Sequence, residues 1–172
     1  MIDLKKKIRN VPDFPVKGIQ FKDITTLLKD KEAFKYSIDK IAEYCTQFQI
    51  DYIAGIEARG FIIGAPVAYN LDVGFLPIRK PNKLPSEVER VSYQLEYGEN
   101  ILEIHKDAIN VGDRVMVVDD LLATGGTTAA VFQLIEKLGG KVIGASFIIE
   151  LSFLNPREKI KGYDVLSLVQ YD

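Results

Sequence analysis

Residues 115–127 read VMVVDDLLATGGT, a pattern typical of one edge of a parallel sheet. The strand predicted over Arg114–Val118 is almost continuously apolar, as in strands that are buried on both faces of such a sheet. It ends in Asp119 and Asp120, and the loop Leu121–Gly126 then opens a helix. Because ligands bind beyond the carboxyl ends of the strands in an open α/β sheet, we expect the acidic pair to face a substrate.

The same segment has the chemistry of a site for a phosphorylated sugar. Adjacent carboxylates suit adjacent hydroxyls, because each can accept hydrogen bonds from a sugar diol. The loop after them has no bulky side chain, so backbone N–H groups and threonine hydroxyls can surround a phosphate at the start of a helix. A plain strand end and turn is the alternative interpretation. Against it, the carboxylates need compensation for their repulsion, and an anion-binding loop directly after them would be an unusual coincidence.

The rest of the chain indicates alternating strands and helices. Asp30 is placed to cap a helix that includes Cys45, and a loop of charged residues and prolines precedes two alternating segments that suggest a hairpin. This pattern predicts an α/β fold, an open and mostly parallel sheet flanked by helices, with a hairpin excursion. The predicted hairpin strands are Val91–Tyr97 and Ile101–Ile104. The other predicted strands are Ile50–Ile56, Val73–Ile78, Val142–Leu151 and Val165–Val169, and Phe61–Leu71 is the predicted helix between the first two of them.

Composition and missing motifs exclude several functional classes. The 172 residues suit one domain. The chain has 22 basic and 24 acidic residues, and the resulting net charge of −2 does not attract nucleic acid or an anionic membrane. No apolar run is long enough to cross a bilayer, so we expect no membrane partner and a cytoplasmic location. The fingerprints GxxxxGK[ST] and GxGxxG of P-loop NTPases and Rossmann dehydrogenases do not occur.

Metal chemistry is restricted by the supply of ligands. Cys45 is the only cysteine and His105 the only histidine, so neither a disulfide nor a site built from cysteines and histidines is available within the chain. Any metal must therefore be bound by oxygen, and magnesium carried with a phosphate substrate fits best.

The segment Asp119–Thr127 resembles the motif that binds phosphoribosyl pyrophosphate (PRPP) in the type I phosphoribosyltransferases, in the wording of the adenine-specific branch. Further blocks agree along essentially the whole chain: Pro12–Pro15 with Gly18–Asp23, Asp51–Gly55 with Arg59–Phe61, Leu95–Gly98, and Gln170–Tyr171. The resemblance implies the type I phosphoribosyltransferase fold in a single domain, 1–172. It also implies a small N-terminal hood that contacts the purine, residues 1–30, and a flexible lid, residues 80–100.

The resemblance also implies an activity, transfer of the 5-phosphoribosyl group of PRPP to adenine to give AMP and pyrophosphate. Magnesium would arrive with PRPP and need no direct protein ligand, and the family implies a homodimer. A lid has a physical purpose in such a reaction, because water would trap the cationic sugar that forms when the anomeric bond breaks.

Four charged residues acquire catalytic roles from the resemblance. Asp119 and Asp120 would face the ribose hydroxyls, Arg59 would face the pyrophosphate, and Glu96 on the lid would act as acid or base near the purine. Arg59 lies between a predicted strand and a helix, where its guanidinium can clamp phosphates by bidentate contacts. The implied 5-phosphate site consists of Ala123, Thr124, Gly125, Gly126 and Thr127.

Two further binding regions follow from the resemblance. In the adenine site the ring of Phe21 would stack on the base while neighbouring backbone groups read its edge; the implied residues are Gln20, Phe21 and Lys22. The implied pyrophosphate site consists of Glu57, Ala58, Arg59, Arg79 and Lys80. The family also implies a cis Glu57–Ala58 peptide, which a sequence alone does not show.

Two alternative functions remain open. The first is a sister enzyme for hypoxanthine, guanine or xanthine, which would share PRPP but not the base. Ala123 argues against it, because hypoxanthine-type enzymes have an acidic residue at that position of the loop. The second is a regulator that senses PRPP and binds DNA or RNA. Such a protein needs an added DNA-binding module or a basic face, and the length and charge of the chain favour neither.

Overall fold

The computed structural model describes residues 2–94 and 99–172. Its regular elements, in chain order, are β1 (Arg9–Pro12), β2 (Gln20–Asp23), α1 (Thr25–Lys29), α2 (Lys31–Cys45), β3 (Tyr52–Ile56), α3 (Arg59–Leu71), β4 (Gly74–Ile78), β5 (Val88–Gln94), β6 (Glu99–His105), β7 (Arg114–Leu122), α4 (Gly126–Lys137), β8 (Lys141–Leu151) and β9 (Asp164–Tyr171). Short 3-10 helices span Leu4–Lys7, Ser152–Leu154 and Pro156–Ile160.

The centre of the molecule is a five-stranded sheet in the order β4-β3-β7-β8-β9. Every neighbouring pair in it is parallel. The predicted α/β class, with an open and mostly parallel sheet flanked by helices, is therefore confirmed. Since parallel strands end at the same edge, the segments after β4, β3 and β7 lie side by side, and these segments contain most of the predicted site residues.

Apolar side chains pack on both faces of this sheet. Alternate residues of β7 separate the two cores: Val117 joins the core beneath α4 and the β5–β6 hairpin, whereas Met116 joins the core beneath α2 and α3. Both side chains are fully buried. A strand covered on both faces has to be apolar throughout, which explains the uninterrupted apolar run that precedes Asp119.

The predicted elements are present, with several shifted boundaries. Asp30 caps α2 as predicted, since its carboxylate accepts hydrogen bonds from the backbone N–H of Glu32 and Ala33. The prediction that β7 ends at the acidic pair is wrong, because its pairing with β8 continues to Leu122 opposite Glu150. α3 begins at Arg59, before the predicted Phe61, because the chain turns into the helix directly after the two residues that follow β3.

The hairpin excursion forms as expected from β5 and β6, which pair in antiparallel register. It is joined to the end of β4 by two backbone hydrogen bonds between Arg79 and Glu103, with N–O distances of 2.9 and 2.8 Å. β5 starts at Val88, before the predicted Val91. The predicted turn between the two strands falls on residues 95–98, which lie outside the described residues.

The N-terminal residues fold back over the edge of the sheet. β1 and β2 form an antiparallel pair with Val11 opposite Phe21, and Arg9 forms an ion pair with Asp23. The ammonium of Lys22 lies 4.3 Å from the centre of the Tyr171 ring, so the β1–β2 hairpin contacts the end of β9. Within the described residues, no helix has the length and apolar character needed to cross a membrane.

Candidate active site

The carboxyl ends of β3, β4 and β7 surround a cleft of about 260 Å³. The residues that follow β3 form one wall, and the loop between β7 and α4 forms the opposite wall. The β5–β6 hairpin closes one side. The lining residues are Ile56, Glu57, Ala58, Arg59, Lys80, Tyr93, Leu102, Asp119, Asp120, Leu121, Ala123, Thr124, Gly125, Thr127 and Thr128. The sheet order thus brings together acidic, basic and phosphate-loop residues that are far apart in the sequence.

Asp119 and Asp120 occupy the floor of this cleft inside the last part of β7. Asp120 is only 3% exposed, and its backbone N–H donates to Asp119 Oδ1 over 2.9 Å. The start of α3 passes unusually near: a Cβ atom on Gly60 would lie 2.8 Å from Asp119 Oδ1 and 3.1 Å from the carbonyl oxygen of Val118. Glycine at position 60 is therefore what allows the helix to begin directly against the acidic pair.

Arg59 is the counter-charge of the acidic pair. Its Nε lies 3.0 Å from Asp120 Oδ2, a close ion pair in which the N–H does not point at the oxygen as in a hydrogen bond. The same guanidinium lies 5.5 Å from the centre of the Phe21 ring on β2. Since 38% of the Arg59 side chain remains exposed, it has contact with the acidic pair, the hood and the open cleft at once.

The environment makes ionisation of the pair costly. Burial raises the pKa of Asp119 well above its ordinary value, and the neighbouring charge of Asp120 raises that pKa further. Burial also raises the pKa of Asp120, but the Arg59 guanidinium opposes this shift. Burial therefore opposes ionisation of the pair, and Arg59 is the nearby positive charge that favours it.

The loop Ala123–Thr127 has the shape of an anion cradle. Gly125 adopts the left-handed conformation, with φ of 76°, and no side chain caps the N-terminus of α4. A Cβ atom at this position would collide with the carbonyl oxygen of Pro156. The backbone N–H groups at the start of the helix are therefore left available for an anion, where the helix dipole is also favourable.

Tyr93 belongs to the site although sequence reasoning gave it no role. The Thr127 hydroxyl donates to the Tyr93 hydroxyl over 3.1 Å, so the β5–β6 hairpin and the loop Ala123–Thr127 are directly connected. The available signal was the alternation of β5: Val91 and Tyr93 share a face, and Val91 is buried in the core. That alternation indicates an inward direction, but it does not identify Thr127 as the partner.

The predicted pyrophosphate residues are only partly assembled in the cleft. The Glu57–Ala58 peptide is cis, and both residues line the cleft together with Lys80. Arg79 is engaged elsewhere: its Nε donates to Glu57 Oε2 over 3.1 Å and its Nη1 donates to the carbonyl oxygen of Lys83 over 3.1 Å. The guanidinium of Arg79 therefore supports Glu57 in this structure and does not line the cleft.

The predicted adenine residues lie on β2 beside a second, apolar depression of about 380 Å³. Phe21 lines it and meets Phe14 edge-on, with ring centres 5.1 Å apart. Gln20 and Lys22 point to the other face of the strand, where both side chains are hydrogen-bonded to Asn10. Of the three predicted residues, then, Phe21 alone presents its side chain to this depression.

Two predictions, the role of Glu96 and the binding of magnesium, stay predictions. Glu96, predicted as the acid or base near the purine, lies outside the described residues. In the part of the chain that the structure describes, no three side chains of histidine, cysteine, aspartate or glutamate cluster as metal ligands.

Comparison with known proteins identifies the family that this chain resembles. Residues 24–166 match the phosphoribosyl transferase domain family. A relative from Clostridium kluyveri, named adenine phosphoribosyltransferase, is 59% identical over 171 residues, which are 99% of this chain and 99% of the relative. The segments that build the cleft thus fall within both matches, whereas residues 1–23 of the hood are covered by the relative from Clostridium kluyveri and lie before the family match.

Solved structures agree in fold as well as in sequence. The crystal structure of adenine phosphoribosyltransferase from Thermoanaerobacter pseudethanolicus matches with a TM-score of 0.95 at 55% identity and covers 98% of each chain. The corresponding protein of Saccharomyces cerevisiae, crystallised with adenine and an imino-altritol bisphosphate, matches with a TM-score of 0.91 at 39% identity and covers 97% of each chain.

The raised pKa of Asp119 predicts a stabilising substitution. An ionised Asp119 destabilises the folded protein; this cost is absent below the pKa of an unfolded aspartate, about 4, and grows as the pH rises toward the raised folded pKa. Asp119→Asn keeps the oxygen that accepts from Asp120, so we expect it to raise the free energy of unfolding, more at about pH 8 than at about pH 5. Urea unfolding at both pH values, with the exposed Asp107→Asn as control, measures this. A gain that shrinks as the pH rises would contradict the assignment.

Substitution of Gly125, in contrast, is expected to lower the free energy of unfolding. Gly125→Ala combines backbone strain with the collision at Pro156, whereas Gly162→Ala, with φ of 93° and open space around it, introduces strain alone. Strain alone costs roughly 1–2 kcal/mol, so Gly125→Ala is expected to lose clearly more than that and Gly162→Ala about that amount. Urea unfolding of the two variants provides the comparison, and equal losses would mean that the loop does not depend on its contact with Pro156.

Proposed function

This chain belongs to the adenine phosphoribosyltransferases, a branch of the phosphoribosyltransferase family, and we propose that it transfers the 5-phosphoribosyl group of PRPP to adenine, giving AMP and pyrophosphate. One observation carries the proposal: Arg59 borders both the cleft and the apolar depression on β2, beside Asp120 in the first and close to Phe21 in the second. A sugar phosphate in the cleft and a planar base in the depression would therefore meet at Arg59.

The cleft suits the sugar phosphate at two points. The cradle Ala123–Thr127 offers backbone N–H groups, threonine hydroxyls and a helix N-terminus, which together favour a phosphate without any bulky side chain in the way. Asp119 and Asp120, at the floor of the same cleft, offer carboxylate oxygens to the vicinal hydroxyls of a ribose. The 5-phosphate and the ribose diol would thus be held by neighbouring parts of one segment.

Pyrophosphate would leave toward the other wall. Glu57, Ala58, Arg59 and Lys80 line that wall, and the last two supply positive charge. Arg79 would take part only after releasing Glu57, because it is hydrogen-bonded to that side chain. We include Arg79 as a residue that supports the wall and place direct contact with pyrophosphate on Arg59 and Lys80.

The protein would act mainly by stabilising the charges that develop in the transition state, and it would form no covalent bond to the substrate. The anomeric C–O bond breaks with its electron pair moving to pyrophosphate, positive charge develops on the ribose ring, and adenine N9 forms the new bond and then loses its proton. In the folded protein the ionised acidic pair is disfavoured, so positive charge on the ribose relieves that cost as the reaction proceeds. Asp119 and Asp120 therefore favour the transition state over the bound substrate.

Adenine would be held in the depression on β2. Phe21 presents its ring there, with Phe14 at its edge, and neighbouring backbone groups would distinguish adenine from an oxopurine, because a mismatched buried polar group is heavily penalised. The proton released from the purine is assigned to Glu96 on the family resemblance alone.

Magnesium, the cellular location and the oligomeric state belong to the same proposal. When bound with PRPP, magnesium would neutralise charge on the departing pyrophosphate.

A cytoplasmic location is supported by the buried free thiol of Cys45, which suits a reducing compartment. A homodimer is supported by Ile62 and Tyr69, which are exposed, lie seven residues apart and so share one face of α3. Light scattering in solution measures that state.

The base specificity is tested with the isolated protein. We expect AMP from adenine, PRPP and magnesium, with kcat/KM for hypoxanthine or guanine at least about 10²-fold lower because their polar edges mismatch the site. Spectrophotometric assays with each base make the comparison. A preference for an oxopurine would replace adenine in the proposal, and tight DNA or RNA binding at physiological salt without transferase activity would favour the regulator.

The role of the acidic pair is tested by Asp120→Asn. The change removes the carboxylate that pairs with Arg59 while keeping the size of the side chain, so kcat for AMP formation should fall about 10²-fold. Its thermal midpoint should change little, because the half-exposed Arg59 can then be solvated. Unchanged turnover would remove Asp120 from the mechanism.

A further inference from the structure

The short helix Pro156–Ile160 lies directly against the phosphate cradle. The carbonyl oxygen of Pro156 occupies the space that a side chain on Gly125 would need. The Cβ of Lys159 lies 3.3 Å from the same position. A segment that follows β8 therefore forms the outer side of the cradle, although nothing in the phosphate-loop motif points to it.

Lys159 extends from this segment across the start of α4. A Cβ atom built on Gly126 would lie 3.7 Å from Lys159 Nζ and 3.8 Å from Thr124 Oγ1. The ammonium and the threonine hydroxyl thus approach the same point, which is the first residue of the helix. In the part of the chain that the structure describes, Lys159 takes part in no ion pair.

The residues around Lys159 are firmly anchored. Arg157 makes a bidentate contact with the buried carboxylate of Glu150: its Nε donates to Oε1 over 2.9 Å and its Nη2 donates to Oε2 over 2.8 Å. This contact lowers the pKa of Glu150, so the ion pair is maintained at neutral pH. On the other side Ile160 is 2% exposed and packs in the core beneath α4. The backbone that carries Lys159 is therefore fixed relative to the cradle.

The charge balance of the cradle explains why a cation is needed there. The loop Ala123–Thr127 contains no charged side chain, and Asp119 and Asp120, two of the three acidic residues of the cleft, precede it on β7. A phosphate with nearly two negative charges would be repelled by that pair, and Arg59, beside Asp120, offsets only part of the repulsion. An ammonium on the outer side of the cradle opposes this repulsion.

We propose that Lys159 binds the 5-phosphate of the nucleotide and completes the cradle from the side opposite the acidic pair. The inference rests on the proposed function, since it needs a phosphorylated ribose in the cleft. It assigns a substrate contact to a residue outside the PRPP motif and gives the Glu150–Arg157 pair a purpose, namely to position Lys159.

The test compares AMP with adenosine, which differ only in the phosphate. Binding of each to the full-length protein is measured by calorimetry for the wild type, Lys159→Met, Lys159→Arg and Lys161→Met. Lys161 is an exposed lysine two residues further along and serves as the matched control for loss of one positive charge. We expect Lys159→Met to weaken AMP about tenfold, with adenosine within about twofold, because one charge-assisted contact at an exposed position is lost. Lys159→Arg should recover most of the loss, and Lys161→Met should leave both affinities unchanged.

The outcomes separate this inference from the proposed function. An AMP affinity of Lys159→Met within about twofold of wild type, an equal loss for adenosine, or an equal loss in Lys161→Met would overturn the contact while leaving the transferase activity standing. A wild-type protein that neither binds AMP nor forms it from adenine and PRPP would overturn both together.

Discussion

Two carboxylates side by side at the end of a buried strand are the constraint on which the rest of the site depends. Burial and mutual repulsion make the ionised pair unfavourable, so the surrounding structure has to compensate. Part of the compensation is built in: Gly60 lets α3 begin against Asp119, and Arg59 at the start of α3 reaches Asp120. The remaining compensation is left to a ligand that brings hydroxyls and developing positive charge.

The same constraint links three parts of the chain that are distant in sequence. Arg59 connects the acidic pair to Phe21, and therefore to the N-terminal hairpin. Thr127 connects the cradle to Tyr93 on the β5–β6 hairpin, and Gly125 packs on Pro156. The segment between β7 and α4 therefore contacts both the β5–β6 hairpin and the segment after β8.

The sequence was informative wherever a local pattern has one structural solution. An apolar strand followed by Asp119, Asp120 and a glycine-containing loop predicted the parallel sheet and the helix after the loop correctly, and both acidic residues line the cleft at that edge. It misplaced the end of β7, because that end is set by pairing with β8. It also missed Tyr93 and Lys159, whose neighbours in the cradle are more than 30 residues away in the chain. Arg79 carries the right charge at the right strand end, but Glu57 holds it, a contact that no motif encodes.

A crystal structure of the protein with AMP tests the central claim most directly. The account predicts the phosphate inside the loop Ala123–Thr127, on the backbone N–H groups at the start of α4, with the ribose hydroxyls toward Asp119 and Asp120. Density for the phosphate at any other position, or for a ribose turned away from the two carboxylates, would contradict it.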